Sequence, residues 1–381
     1  MIKRAVADVL QSAAGKGKTI ILLGARQTGK TSLLNMLYPA SRSDVLYMSG
    51  DDADVRRLFE TLTAERLRLF LGKKRLLIID EAQRISDIGL RLKLVTDQLP
   101  EIQLIATGSS SFELANRVKE PLTGRKREYH LYPISFGEMV QHHGLLTEKR
   151  LIPHRLVFGS YPEVVSNPGD EKNALREISQ SYLYKDVLAW EQIQKPEKLE
   201  RLLQALALQI GSQVSYSELA RLCGLDAKTV EKYICVLEQT YIIFRLSSFS
   251  RNARNELKNS RKFYFYDNGI RNAVLANFSQ IESRHDAGNL WENWLVSERK
   301  KLIAARGLWV NSYFWRTKEQ KEIDLIEEAD GILTAYEFKY SATKKPHCPA
   351  AFAKAYPEAS YRVINPDNVE DYLLGADGPR P

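Results

Sequence analysis

The segment Gly24-Ala-Arg-Gln-Thr-Gly29-Lys30-Thr31 constrains this 381-residue chain more than any other. It fits the spacing GxxxxGK[ST] without a gap. The apolar run Thr19–Leu23 precedes it, and Ser32-Leu33-Leu34-Asn-Met-Leu37 opens a helical pattern behind it. A strand, a glycine-rich turn and a helix in that order make a loop whose backbone N–H groups wrap a phosphate, with the helix N-terminus adding a favourable dipole. The expected contacts are Gly24, Ala25, Arg26, Gln27, Thr28, Gly29, Lys30, Thr31 and Ser32. Lys30 is placed to neutralise β- and γ-oxygens, and the Thr31 hydroxyl to ligate Mg²⁺.

Strand-like runs at Thr19–Leu23, Val45–Met48, Leu76–Ile79 and Gln103–Ala106 alternate with amphipathic stretches such as Val55–Phe70 and Ile88–Leu99. That alternation predicts a parallel α/β sheet. Leu76-Leu-Ile-Ile79-Asp80-Glu81 reads as a strand buried on both faces that delivers two carboxylates at its C-terminal end. Asp80 is the expected second Mg²⁺ holder, directly or through water. Glu81 is the expected group that polarises the attacking water, a role that implies hydrolysis. In Thr107-Gly-Ser-Ser-Ser111, either Thr107 or Ser109 is placed to sense a γ-phosphate, or a serine simply caps a helix. Arg125 is a candidate arginine finger, in cis or in trans, or an ordinary surface arginine. The absence of an Asn-Lys-x-Asp guanine-reading motif favours ATP over GTP.

Composition bounds the rest. The chain carries 55 basic and 47 acidic residues, a net +8 that permits a polyanionic partner without requiring one. No apolar run approaches the roughly 20 residues of a membrane helix. The N-terminus is interrupted by Asp8 and Gln11 and reads as a short amphipathic helix, not a signal peptide. Three cysteines, Cys223, Cys235 and Cys348, form no CxxC pair, so neither disulfides nor a zinc site are expected. The expectation is a cytoplasmic protein with no membrane partner.

The box Asp80-Glu-Ala-Gln83, the run Thr107-Gly-Ser-Ser, the step Leu122-Thr-Gly-Arg125 and Leu131-Tyr-Pro-Ile-Ser-Phe136 together resemble one family. It is a widespread group of AAA-type ATPases with a fused C-terminal part. That part resembles a winged helix followed by a restriction-endonuclease-like module. The likeness spans nearly the whole chain and implies ATP binding and hydrolysis, without naming a substrate.

In the middle, Ser215-Tyr-Ser-Glu218 has the form of a capping box, Leu219 and Leu222 offer a core face, and Gly224 ends the helix. Asp226 is placed to cap a second helix on which Val230, Ile234 and Leu237 share one face. Two short helices about a glycine turn fit a helix-turn-helix. Residues 241–262 follow with Arg245, Arg251, Arg254, Lys258, Arg261 and Lys262 against Glu256 alone, a net +5. Such a basic wing could grip DNA phosphates. Equally, winged helices serve as protein-binding modules with charge kept for solubility, and Glu231 on the presumed reading helix opposes groove insertion.

The C-terminal part carries a second cluster. Asp330-Gly331 between two alternating apolar runs predicts a two-residue hairpin. Ala329 then faces Ile332, Asp324 faces Glu337, and Glu322 faces Lys339, all four polar residues on one face. Opposed carboxylates are costly unless a cation sits between them, and Mg²⁺ or Mn²⁺ is the obvious choice. The Asp…Glu-x-Lys arrangement resembles the active site of restriction-endonuclease-like nucleases. The resemblance makes Asp324 and Glu337 metal ligands, Lys339 the catalytic lysine, and Glu292 the upstream acid. The competing reading is a charged hairpin in which Lys339 bridges Glu322. The expected layout is an ATPase domain over 1–150, a helical linker over 151–195, a winged helix over 196–278 and a nuclease-like domain over 279–381.

Overall fold

Strands that are apolar at every position need cover on both faces. Ile20, Ile21, Leu22 and Leu23 have no solvent exposure, and neither do Leu77, Ile78 and Ile79. Each such aliphatic side chain contributes about 1.5–3 kcal/mol of burial. The computed structural model describes residues 2–109, 118, 121–181, 195–250, 261–343 and 346–375. The chain divides into two units, 1–133 with 239–241, and 134–238 with 242–381.

In the first unit the elements run α1 (Val6–Ala13), β1 (Thr19–Leu23), α2 (Lys30–Leu37), β2 (Val45–Ser49), α3 (Ala53–Glu60), α4 (Ala64–Leu71), β3 (Leu76–Asp80), α5 (Ile88–Gln98), β4 (Gln103–Gly108) and β5 (Lys126–His130). The strands form one sheet in the order β2-β3-β4-β1-β5, parallel throughout. The parallel sheet is therefore as expected, with one edge strand added. The amphipathic stretch Val55–Phe70 is two helices, because the Asp52 and Thr63 side chains each accept a backbone N–H and start separate helices.

The second unit begins with α6 (Phe136–His143), α7 (Leu145–Phe158), α8 (Pro162–Ser166), α9 (Glu171–Ser181) and α10 (Pro196–Leu208). Then come β6 (Gln213–Val214), α11 (Tyr216–Cys223), α12 (Ala227–Gln239), β7 (Ile243–Ser248), β8 (Arg261–Phe265) and α13 (Asn268–Val274). The chain closes with α14 (Ala287–Arg306), β9 (Asn311–Arg316), β10 (Glu322–Ala329), β11 (Ile332–Phe338), α15 (Ala350–Ala355), β12 (Ser360–Ile364) and α16 (Val369–Leu374). Its sheet order is β12-β11-β10-β9-β7-β8-β6. Strand β7 pairs parallel with β9, Ser247 opposite Tyr313. The sheet thus runs unbroken across the expected division at residue 278.

Helices α11 and α12 are joined through Gly224, which is left-handed. Asp226 accepts from the Thr229 backbone N–H at 3.0 Å and from its hydroxyl at 2.6 Å. Val230, Ile234 and Leu237 are buried as expected. Two details differ. Ser215 makes no cap bond and its hydroxyl pairs with that of Ser217 at 2.8 Å. Leu222 is exposed, the core face being Leu219, Ala220 and Cys223.

Candidate functional site

The first site grows from the C-terminal ends of β1, β3 and β4. Gly29 sits at φ 91°, a left-handed turn that a side chain would strain, and α2 starts at the next residue. Lys30 is buried, and its ammonium donates to the carbonyls of Gly24 and Ala25, both at 2.8 Å. The Thr28 hydroxyl closes the turn on the Ala25 carbonyl at 2.8 Å. Arg4 braces the loop from outside, donating to the carbonyls of Thr28 at 2.8 Å and Tyr132 at 2.6 Å. Nothing in the sequence pattern marks Arg4, because its partners are backbone atoms far along the chain.

The Thr31 hydroxyl donates to Asp80 Oδ2 at 2.7 Å. Thr107 donates to Asp80 Oδ1 and accepts the Glu81 backbone N–H at 3.1 Å. Neighbouring parallel strands, paired Ile79 to Ala106, bring these residues together. Gln83 joins the group, its side-chain amide donating to Glu81 Oε2 at 2.5 Å and to the Ser109 hydroxyl at 3.1 Å. Thr107 therefore contacts the Asp80 carboxylate and the Glu81 backbone, while Ser109 reaches the Glu81 carboxylate through Gln83. Thr31 and Asp80 offer paired hard oxygens that suit Mg²⁺, so the residues present fit that ion.

Arg125 is placed elsewhere. Strand β5 pairs with β1 from Thr19 opposite Lys126 to Leu23 opposite His130. Arg125 therefore stands at the N-terminal end of the sheet, and its carbonyl accepts from Thr19 at 2.9 Å. The phosphate loop leaves the other end, about 15 Å away at 3.3 Å per residue. Its guanidinium is bound to Asp97 at 2.6 Å. This placement removes the reading of Arg125 as a finger acting within its own chain.

The second cluster lies on β8, β10, β11 and α14. Asp330 and Gly331 both take positive φ, 50° and 78°. Ala329 faces Ile332 and Leu325 faces Tyr336, the predicted register. The paired register ends there, one residue short of the expected Asp324–Glu337 pair, and β10 is irregular between Ile323 and Ile326 where it meets β9. The Asp324 carboxylate accepts the Phe338 backbone N–H at 2.8 Å. Lys339 pairs with Glu337 at 2.5 Å and not with Glu322. Burial raises Asp324 well above the usual carboxylate range, and the charges of Glu292 and Glu337 push it the same way. Burial also raises Glu337, against the opposing pull of Lys339.

Lys262 corrects the reading of the basic stretch. Its side chain is 1% exposed, and its ammonium bonds Glu292 at 3.1 Å and contacts Glu322. Burial alone would lower this amine, yet the carboxylates of Glu292, Glu322 and Asp324 hold it above the ordinary lysine range. The Tyr264 hydroxyl donates to the same Glu292 oxygen at 2.7 Å. Glu322 is also bridged by Arg316 at 3.2 Å. Gly211, at φ 70°, leaves room for the Glu292 carboxylate, which would lie 3.2 Å from any added Cβ. Among the described residues no three His, Cys, Asp or Glu side chains are grouped to hold a metal. The expected ligand set Glu292, Asp324 and Glu337 therefore does not fit a metal here, since Lys262 and Tyr264 already hold Glu292.

The remaining DNA candidates divide in two. Arg245 is tied to Glu238 by two hydrogen bonds, one of them 2.7 Å. Arg261 lies 3.8 Å from Glu231 and stacks over the Tyr216 ring at 4.9 Å. Arg251, Arg254 and Lys258 lie outside the described residues. No helix among the described residues is long and apolar enough to cross a membrane.

One family comparison spans the residues of the first site. Residues 16–140 match the family model described as an AAA domain. Residues 149–281 and 287–374 match two domains of unknown function, DUF8612 and DUF4143. An uncharacterized protein of Mycobacterium tuberculosis is 27% identical over 346 residues, covering 90% of this chain and 74% of its own. An uncharacterized protein of Methanocaldococcus jannaschii is 23% identical over 375 residues, 91% of this chain and 81% of its own. Among solved structures, Thermotoga maritima RuvB aligns with TM-score 0.32 and 16% identity, over 68% of this chain and 93% of that one. The STAND-class signal transduction ATPase of Pyrococcus horikoshii aligns with TM-score 0.31 and 12% identity, over 80% and 47%. Residues 16–140 are thus similar to an AAA domain, and the match spans both the phosphate-loop sequence and the Asp80–Glu81 carboxylates.

Proposed function

We propose that the chain is a Mg²⁺-dependent ATPase whose hydrolytic centre comprises Lys30, Thr31, Asp80 and Glu81. The observation that carries this reading is the Thr31–Asp80 hydrogen bond of 2.7 Å, with Glu81 next in sequence and held by Gln83. In this reading Lys30 releases the loop carbonyls to take the β- and γ-phosphate oxygens. Thr31 and Asp80 hold Mg²⁺, which supplies charge neutralisation on the phosphates when bound. Glu81 orients a water toward the γ-phosphorus and accepts its proton.

Lys30→Ala should abolish nucleotide binding. Glu81→Gln should keep binding and lower turnover by about 10²–10⁴-fold, the usual weight of a general base. Equilibrium binding of a fluorescent ATP analogue and phosphate-release kinetics separate the two. Rapid turnover by the Glu81→Gln protein would remove Glu81 from its role.

DNA is the companion proposal, on narrower support than the raw charge suggests, because Arg245 and Lys262 are committed to internal ion pairs. An ATPase assay with and without duplex DNA across a salt series tests it. Stimulation that fades with salt supports DNA. An unchanged rate leaves the alternative, a nucleotide-gated switch that binds partner proteins.

A further inference from the structure

Four carboxylates lie within electrostatic reach of one another near the start of β10, though not grouped closely enough to ligate one ion: Glu292 from α14, Glu322 and Asp324 from β10, and Glu337 from β11. Such a group is unstable without a cation, and the family likeness points to a divalent metal. The geometry supplies a different one. Lys262 projects from β8, a strand held between β7 and β6, so its Cα is pinned by hydrogen bonds on both sides. Its stem is covered and its ammonium lies 5.4 Å from the centre of the Phe314 ring. Withdrawing that ammonium would leave a buried cation unpaired, which is strongly destabilising. A cleft of about 520 Å³, lined by Ser212, Ser215, Arg316, Gln320 and Glu322, opens onto Glu322 at the edge of the cluster.

We infer that Lys262 is the resident cation of the C-terminal acidic cluster, occupying by covalent attachment the role a divalent metal would fill. Lys262 on Glu292 and Glu322 then clamps β8, β10 and α14, with Arg316 on Glu322 and Lys339 on Glu337 sharing the compensation, and the second unit takes no Mg²⁺ or Mn²⁺ there. This goes beyond the ATPase reading and does not depend on it.

Mn²⁺ titration of the nucleotide-free full chain, followed by electron paramagnetic resonance, tests the inference. Any Mn²⁺ held by Thr31 and Asp80 is insensitive to Asp324→Asn, so that variant isolates the cluster. The wild type should show no Mn²⁺ binding that Asp324→Asn removes. Lys262→Met should gain an Mn²⁺ site that the wild type lacks, and Lys262→Met with Asp324→Asn should lose it. Asp324-dependent Mn²⁺ binding by the wild type would overturn the inference, and this arm needs no Lys262 variant to fold. So would a folded Lys262→Met protein that gains nothing. If Lys262→Met does not fold, Lys262→Gln is read the same way.

Discussion

Glu81 is an unusual place for a carboxylate, since its backbone is left-handed at φ 49°. That turn directs its side chain back toward Gln83, whose amide also reaches Ser109 just beyond the neighbouring strand. In the proposed mechanism Gln83 is thus a positioning residue, linking the Glu81 carboxylate to the end of β4. Gln83→Leu should lower kcat by between about tenfold and a hundredfold through misplacement of Glu81, with ATP affinity little changed. Steady-state kinetics alongside equilibrium ATP binding read this split, and an equal loss of binding would count against it. At this scale the loop from Gly24 through Thr31 was legible because its residues are contiguous and its spacing is the one a phosphate-wrapping turn requires. Arg125 was not, because its place depends on which end of β5 aligns with Thr19.

At the scale of elements, the hairpin at Asp330-Gly331 followed from local turn chemistry, and its register held from Ala329–Ile332 as far as Leu325–Tyr336. Strand β5 did not announce itself, because Lys-Arg-Glu-Tyr-His at residues 126–130 is a half-covered edge with no apolar run. The start of α14 shows a similar dependence on distant residues. Asp286 is hydrogen-bonded by Arg271 at 2.6 Å and by Arg284 at 2.8 Å. Burial raises its carboxyl, but Arg284 and Arg271 outweigh that effect and bring it down to about 2. A depressed carboxyl stabilises fully above its unfolded pKa of about 3.9, and the contribution disappears as pH falls toward 2. Asp286→Asn should therefore lower stability at pH 7 and flatten its decline between about pH 4 and 2. Urea melts across that pH range test this, and an unchanged slope would show that other groups carry it.

For the whole molecule, nucleotide should stabilise the first unit by mass action. ATP with Mg²⁺ at about a hundred times its Kd adds about 2.7 kcal/mol. Amide exchange in β1, β3 and β4 should slow accordingly, and Lys30→Ala should abolish the protection. The net charge tells a second story at this scale. Of the six basic residues in 241–262, Lys262 is buried within an acidic cluster and Arg245 is bonded to Glu238. Formal charge along a chain is not free charge on a surface.

By itself the sequence determined the parallel sheet, the phosphate loop, the paired Asp80 and Glu81 and the C-terminal hairpin. Each depends on contiguous residues whose period or turn chemistry carries its own physical reason. Only the tertiary structure decided that Arg125 stands at the far end of the sheet, that β7 and β9 share one sheet, and that Lys262 enters the carboxylates. Those outcomes turn on strand order and register between segments distant in sequence. An ammonium finds its counter-charges in space, and hydrophobic period says nothing about which carboxylates will be there.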